Sequence, residues 1–334
     1  MTDNPSILWS QLSEIIERYH RFVISSHINP DGDAIGSAIA MRRLLDEMGK
    51  EAVCVFSDEP SYRLESFYGN EELLTGDEAL AAIGQPDVLI MTDAGHWSRL
   101  GAVGEVFQQS SAMKVCIDHH QLEGDFDGLR IVDVESSSAS LMIYRFVRFL
   151  SHPLSKAVAE PIYLGVMVDT INFHLPNTTP EAHHAAAECL QAGVSPQAVY
   201  DEVFGVLPFS RMRLMAQVFE NAEVHFDGKV GVLYLTCDML RETGAKEGDD
   251  QGFSDLSRSI EGVSIGVYLR ETDDGAIKVS WRCKDNCSVL ESARYFGGGG
   301  HLRAAGAMIR GSIEEVKHQV LAELGSRIEQ TNFA

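Results

Sequence analysis

The segment His27-Ile28-Asn29-Pro30-Asp31-Gly32-Asp33 places one imidazole and two carboxylates within seven residues. Asp31 and Asp33 are too close in sequence to stand unpaired in a tight loop. Like charges there raise a pKa unless a cation lies between them. The alternative is a plain Asn-Pro-Asp-Gly turn with Asp33 as a helix N-cap. A second group, Ile117-Asp118-His119-His120, joins a carboxylate to two imidazoles. The imidazoles can ligate a metal or contact a phosphate, and the carboxylate can hold a ring tautomer from behind. Thr92-Asp93-Ala94-Gly95 and Val168-Asp169-Thr170 each add one carboxylate after an apolar run. Taken singly, these two also fit capping residues or one half of an ion pair.

The elements that must carry these residues are short and apolar. Phe22–Ser26, Ala52–Phe56, Val88–Met91 and Val115–Ile117 are continuous and rich in Val and Ile, as strands of a parallel sheet buried on both faces are. Helical spacing over Ala34–Met48, Gly76–Ile83 and Ala139–Leu150 completes a β-α-β alternation. A further helix is expected after Pro161. His27, Asp93 and Asp118 then follow carboxyl ends of strands, where open α/β sheets bind ligands. His27, Asp31, Asp33, Asp93, His119 and Asp169 gather at one sheet edge on this reading. Six N/O ligands with no thiolate suit two divalent ions, manganese or magnesium before zinc, with one carboxylate bridging. Such a pair activates water and stabilises an in-line displacement at phosphorus.

The pattern breaks at Gly193-Val194-Ser195-Pro196, and Ala198–Phe219 reads as a connecting helix in which Met212, Met215 and Phe219 make core contacts. The expected organisation is a catalytic domain over 1–190, a linker over 191–215 and a smaller domain over 216–334. In the last part, Val230–Leu235, Ser264–Leu269 and Ile277–Trp281 read as strands and Glu314–Ile328 as a helix. Phe296-Gly297-Gly298-Gly299-Gly300-His301 runs into Ala304-Ala305-Gly306. Four glycines before a small-residue helix start would make a backbone-amide phosphate cradle; a flexible hinge is the alternative. Arg282 ends a strand just upstream and could grip a phosphate through both arms of its guanidinium.

Composition sets limits on partners. The chain has 334 residues, 45% apolar and 23% charged, with a net charge of −22. That charge argues against coating long nucleic acid, which is driven by Lys and Arg displacing counterions. It is also uneven: residues 1–210 carry 12 basic and 30 acidic side chains. No run of 18 apolar residues suggests a membrane span, and no secretory pattern opens the chain. Six scattered cysteines read as reduced thiols, and a cytoplasmic location is expected.

The ordered set His27-x-Asn-Pro-Asp31-Gly-Asp33-Ala-x-Gly-Ser37, Asp93, Asp118-His119-His120 and Asp169-Thr170 resembles the motifs of the DHH phosphoesterase superfamily. Gly-Gly-Gly-Gly-His301-x-x-Ala-Ala-Gly306 is similar to the signature of its DHHA1 domain. The two-domain length resembles the nano-RNase (oligoribonuclease/pAp phosphatase) group. The resemblance implies an α/β fold: a DHH domain with a parallel sheet flanked by helices, and a smaller α/β DHHA1 domain with a mixed sheet. It implies that His27, Asp31 and Asp93 hold one manganese ion. Asp33, Asp93, His119 and Asp169 would hold the other, with Asp93 bridging. Asp118 would orient the site and His120 would contact the scissile phosphate. Arg282, Gly298, Gly299, Gly300 and His301 would bind substrate, in a cleft between the domains. A homodimer is the family-level expectation. Two local departures stand out: Ser-Trp-Arg-Cys where relatives favour Ser-Leu-Arg-Ser, and Ile171-Asn172-Phe173 where Gly-x-Phe is usual.

The function expected is hydrolysis of very short oligoribonucleotides or dinucleotides to nucleoside monophosphates, together with the 3′-phosphate of adenosine 3′,5′-bisphosphate. The alternatives are a cyclic-dinucleotide phosphodiesterase, a RecJ-like single-strand exonuclease, a family II pyrophosphatase and a non-hydrolysing nucleotide sensor.

Overall fold

The computed structural model describes residues 5–69, 72–120, 124–205, 207–246, 248–284 and 287–331. The chain divides into two compact units, Met1–Val206 and Leu207–Ala334. No helix among the described residues is long and apolar enough to cross a membrane.

The first unit opens with α1 (Pro5–Arg18), β1 (Arg21–Ser25), α2 (Gly32–Glu47), β2 (Glu51–Phe56) and β3 (Leu73–Thr75). It continues through α3 (Gly76–Ile83), β4 (Val88–Thr92), α4 (Ala102–Gln109), β5 (Met113–Asp118) and β6 (Leu129–Val132). It closes with α5 (Ala139–Phe149), α6 (Lys156–Asp169), α7 (Pro180–Gln191) and α8 (Pro196–Tyr200). The six strands pair in parallel in the order β3-β2-β1-β4-β5-β6. Alternate residues serve two cores. Phe22, Ile24, Val88, Ile90, Val115 and Ile117 pack with α1, α2, α5 and α6. Val23, Leu89, Met91 and Cys116 pack with α3 and α4. Both faces being covered explains why these strands are apolar throughout.

The strand order reverses between β1 and β4, and this is where an open α/β sheet binds its ligand. His27 follows β1 and Asp93 follows β4, so the two stand on either side of the reversal. Buried hydroxyls lock that edge. Ser26 Oγ donates to the Thr92 carbonyl at 2.7 Å, and Ser37 Oγ on α2 donates to Thr92 Oγ1 at 3.0 Å.

Helix α6 begins at Lys156, not after Pro161 as expected from sequence; Ser155 caps it and Pro161 lies inside. Proline has no N–H to give to the carbonyl four residues back. That carbonyl, Ala157 O, accepts instead from Arg43 Nη1 of α2 at 3.0 Å. The helix survives its proline because a neighbouring cation replaces the missing donor.

The second unit runs α9 (Phe209–Glu220), β7 (Glu223–His225), β8 (Val230–Leu235), α10 (Cys237–Thr243), α11 (Phe253–Leu256), β9 (Ile265–Glu271), β10 (Ala276–Cys283), α12 (Leu290–Tyr295), β11 (Gly299–Gly300), β12 (Ala304–Arg310) and α13 (Ile313–Thr331). Its sheet is mixed, in the order β11-β12-β10-β9-β8-β7, with only the β8–β9 pair parallel. Trp281 and Val279 of β10 meet Val316, Val320 and Leu324 of α13 in one core. Leu214 and Val218 of α9 pack on Leu233 and Leu235 in another.

Two expectations fail around the join. Ala198–Phe219 is not one helix: α8 ends at Tyr200, a π-helical turn follows over Asp201–Gly205, and α9 starts at Phe209. Met215 does pack against the second unit's core. Met212 and Phe219 do not; they are 55% and 42% exposed, because α9 turns Leu214 and Val218 inward instead.

Candidate metal centre

The loop after β1 delivers three groups. His27 is buried, and its Nδ1 donates to the Ile28 carbonyl at 2.8 Å. That bond orients the ring so that Nε2 faces inward. Nε2 lies 3.5 Å from Asp93 Oδ2 and 3.8 Å from Asp31 Oδ1. Asp31 is the N-cap of α2, accepting from the amides of Asp33 and Ala34. The capping role considered for Asp33 therefore belongs to Asp31.

Asp33 is fully buried. Its Oδ2 accepts from Ala139 N at 2.6 Å and its Oδ1 from Ser140 N at 2.9 Å. These are free amides at the start of α5, whose N-cap is Ser138. A carboxylate is well placed there, because unpaired amides and the helix dipole favour negative charge. The sequence reading missed this support. The signal was present in Ser136-Ser137-Ser138 before an apolar helical run, a capping pattern.

Asp93 stands between two groups of ligands. Its Oδ2 faces His27, and its Oδ1 lies 3.3 Å from both His119 Nε2 and His120 Nδ1. His119 Nε2 also lies 3.4 Å from Asp169 Oδ2 and 3.9 Å from Asp33 Oδ2. Its other ring nitrogen is 3.3 Å from the Ser136 carbonyl. Asp169 is the last residue of α6, and its carbonyl accepts from Asn177 Nδ2 at 3.2 Å. Ligand atoms of His27, Asp31 and Asp93 lie within 4.8 Å of one another, as do those of Asp33, His119 and Asp169. All six residues thus come together at one sheet edge.

Backbone strain collects at the same place. Asn29, Asp93, Ile171, Asn172 and Phe173 adopt positive φ, between 45° and 61°. L-residues disfavour that region, and a β-branched residue such as Ile171 does so strongly.

Residues 21–166 match the DHH family, N-terminal domain, and residues 227–330 match the DHHA1 domain. A Thermus thermophilus protein named bifunctional oligoribonuclease and PAP phosphatase NrnA is 32% identical over 311 residues, covering 93% of this chain and 91% of that one. The chain belongs to the DHH family. A Bacillus subtilis protein of the same name is 28% identical over 305 residues, covering 90% of this chain and 93% of its own. The crystal structure of an exopolyphosphatase-related protein from Bacteroides fragilis superposes with a TM-score of 0.90 at 29% identity, covering 97% of each chain.

The DHH centre carries its own test of whether cations belong in it. Asp93 Oδ1 and His119 Nε2 are buried and make no aligned hydrogen bond. Burial, with the charges of Asp93 and Asp169 beside it, raises the Asp33 carboxyl well above its usual range. Burial also raises Asp169, to about 7, against the pull of His119. Asp93 goes the other way: the three histidines around it outweigh its burial and lower it. Crowded carboxylates and inward imidazoles, with Asp93 Oδ1 and His119 Nε2 lacking any other partner, are what hard-to-borderline divalent ions require. The donor set fits.

The DHH triplet itself divides its work. Asp118 ends β5 and is fully buried. Its Oδ1 accepts from the His120 amide at 3.0 Å and from His120 Nδ1 at 2.9 Å. Asp118 first, then Asp93, raises His120 to about 10, and its side chain remains 42% exposed. His120 is thus held by a buried carboxylate and open to solvent, in surroundings that favour its protonated form.

In the DHHA1 domain the glycine run is not a helix N-terminus. Gly299–Gly300 form β11 and pair with Gly306 and Ala305 of β12, so Ala304-Ala305-Gly306 is strand. The amide of Gly298 is committed to Ala293 O at 2.8 Å, and that of His301 to Ala304 O at 2.8 Å. The glycines serve close approach: a Cβ on Gly298 would sit 2.1 Å from Gly306 O. His301 is exposed at the hairpin turn. Arg282 on β10 holds its own strand, donating from Nη1 to Trp281 O at 3.1 Å, with Nε 3.7 Å from Asp255 Oδ1.

Proposed function

We propose that this protein is a two-metal phosphoesterase. Its substrates are very short oligoribonucleotides or dinucleotides, hydrolysed to nucleoside monophosphates, and the 3′-phosphate of adenosine 3′,5′-bisphosphate. The observation that carries the reading is the pair of ligand groups meeting at Asp93. The names of the T. thermophilus and B. subtilis relatives, which cover nearly the whole chain, support the substrate class.

His27, Asp31 and Asp93 would hold one ion, and Asp33, Asp93, His119 and Asp169 the other, with Asp93 shared. The absence of thiolates favours manganese, then magnesium. When bound, such a pair acidifies water and neutralises charge developing on phosphoryl oxygens. The chain's own residues do the rest. The Ile28 carbonyl and the Ser136 carbonyl orient the two ligand imidazoles. Asp118 steers His120, whose ring we assign to the scissile phosphate as a cationic hydrogen-bond donor. Arg282, Gly298, Gly299, Gly300 and His301 are assigned to substrate binding.

The acidic balance of the chain supports a small substrate. With a net charge of −22 there is no long-range attraction for a polymer. Phosphate capture must be local. The test is turnover of a dinucleotide, a long single-stranded RNA and adenosine 3′,5′-bisphosphate with manganese, before and after Asp93→Ala. A dinucleotide should be turned over far faster than the long RNA, and the variant should lose activity on all three. Equal rates on short and long RNA, or an undiminished variant, would remove the proposal.

A further inference from the structure

We infer that Gly165, on α6, is a positioning residue for Asp33, and that the gap between α2 and α6 sets the separation of Asp33 from Asp169. This rests on the metal-centre reading above. Pro161, Gly165 and Asp169 are spaced four residues apart, so they share one face of α6. That one helix therefore supplies a ligand at its end and empty space one turn earlier.

The space is filled by the other ligand. A Cβ built on Gly165 would lie 2.4 Å from Asp33 Oδ1, 1.9 Å from Ser140 Oγ and 2.6 Å from Ser140 Cβ. Real Cβ atoms essentially never approach closer than 3.0 Å. Asp33 cannot yield easily, because both its oxygens are fixed by the Ala139 and Ser140 amides. A methyl group must then displace Asp33 from those amides or push α6, and Asp169 with it, outward. Both routes change how Asp33 and Asp169 converge on His119 Nε2. Gly36 on α2 keeps the same gap closed without touching a ligand. Its Cβ would meet Pro161 O at 2.4 Å, Ser140 Oγ at 2.9 Å and Gly165 N at 3.0 Å.

The experiment is titration of manganese into the metal-free full chain, followed by calorimetry and by electron paramagnetic resonance of free ion. Wild type should bind two ions. Gly165→Ala should keep the ion assigned to His27, Asp31 and Asp93, and bind the second at least about 10-fold more weakly, as when a ligand's support is removed. The double variant Gly165→Ala/Ser140→Gly removes the Ser140 clash but leaves the one with Asp33. It should regain only part of the lost melting temperature, without recovering the second ion. Leu45→Ala, a cavity elsewhere on α2, should lower melting temperature and still bind two ions. Should Gly165→Ala fail to fold, Gly36→Ala is read in its place, with the same weakened second ion expected. Two ions bound by the seam variant with wild-type affinity, or full recovery in the double variant, would overturn the inference. Failure of wild type to bind two ions would instead overturn the reading of the centre.

Discussion

Asp118→Asn isolates what a buried carboxylate does for His120. The replacement has the same shape, and its Oδ1 can still accept from the His120 amide and Nδ1, which now lie 3.0 and 2.9 Å away. The charge is lost, and the buried Oδ2, which has no hydrogen-bond partner, becomes an NH2 group. A hydrogen bond to a charged group contributes roughly 1.5–3 kcal/mol and a neutral one roughly 0.5–1.5, so the loss is about 1–1.5 kcal/mol. That corresponds to about one pKa unit. His120 is raised to about 10 by Asp118 and Asp93 together, against its burial. Asp93 Oδ1, 3.3 Å away, and the His119 ring, with its centroid 4.5 Å away, are unchanged in the variant. A raised histidine keeps its charge below its folded-state pKa and loses it as pH rises through that value. The variant should therefore lose the His120 charge about one pH unit earlier than wild type. Imidazole carbon chemical shifts of the metal-free protein, followed against pH, read this directly. With manganese, the alkaline limb of the pH profile of kcat/KM on a dinucleotide should move down by about one unit while two ions remain bound. An unchanged His120 titration would refute the steering role. A lost ion with an unchanged titration would make Asp118 a ligand instead.

Glu72 sits between Arg42 and Arg43, and the Arg43 fork reaches both its oxygens at 3.0 and 2.9 Å. Its burial works against charge, but Arg43 and the Gly69 amide outweigh it and lower the carboxyl to about 2. A depressed carboxyl stabilises the fold above its ordinary range and loses that contribution as pH falls through its folded value. Glu72→Gln should cost about 1–2 kcal/mol at neutral pH, after allowing for solvent screening. The gap in melting temperature from wild type should close as pH drops from 4.5 toward 2. Gly300 has φ +137° and would bring a Cβ within 2.6 Å of Ala304 O and 2.7 Å of Ala305 Cα. Gly300→Ala should destabilise the second unit by about 1–3 kcal/mol in thermal unfolding and raise KM for the dinucleotide, with both ions retained.

The central strands and the ligands were legible for one reason. Val88–Met91 is buried at every position and apolar at every position, and the charged residue just past Thr92 marks the strand end. Elements at the margins carried no such pattern. β6 is an edge strand of four residues, one of them Arg130, and is only half buried. β12 hides Ala304–Arg310 behind small residues that read as a helix start, although its pairing with β10 makes it strand. Pro161 read as a helix boundary because nothing local shows that Arg43, far away in sequence, would satisfy Ala157. The ligand types could be picked out singly. The three serines do mark where α5 begins, but that its first amides would seat Asp33 depends on where the helix lies in space. Nor does sequence separate a glycine that leaves room for a carboxylate from one that only permits close packing.

The ligand set also dictates when the centre can come into being. Its members run from His27 to Asp169, and the last is contributed by a helix that follows all six strands of its sheet in the chain. A ribosome adding about 5–20 residues per second spends on the order of ten seconds between the two. His27, Asp31 and Asp93 are all made once the chain passes β4, whereas the second group waits for Asp169. An ion held by the second group therefore cannot template the sheet, whose six strands all precede α6 in the chain. Those strands must find their order without it. The apolar strands are in this sense the precondition of the acidic site, and a slow step in their assembly would delay metal capture without changing a single ligand.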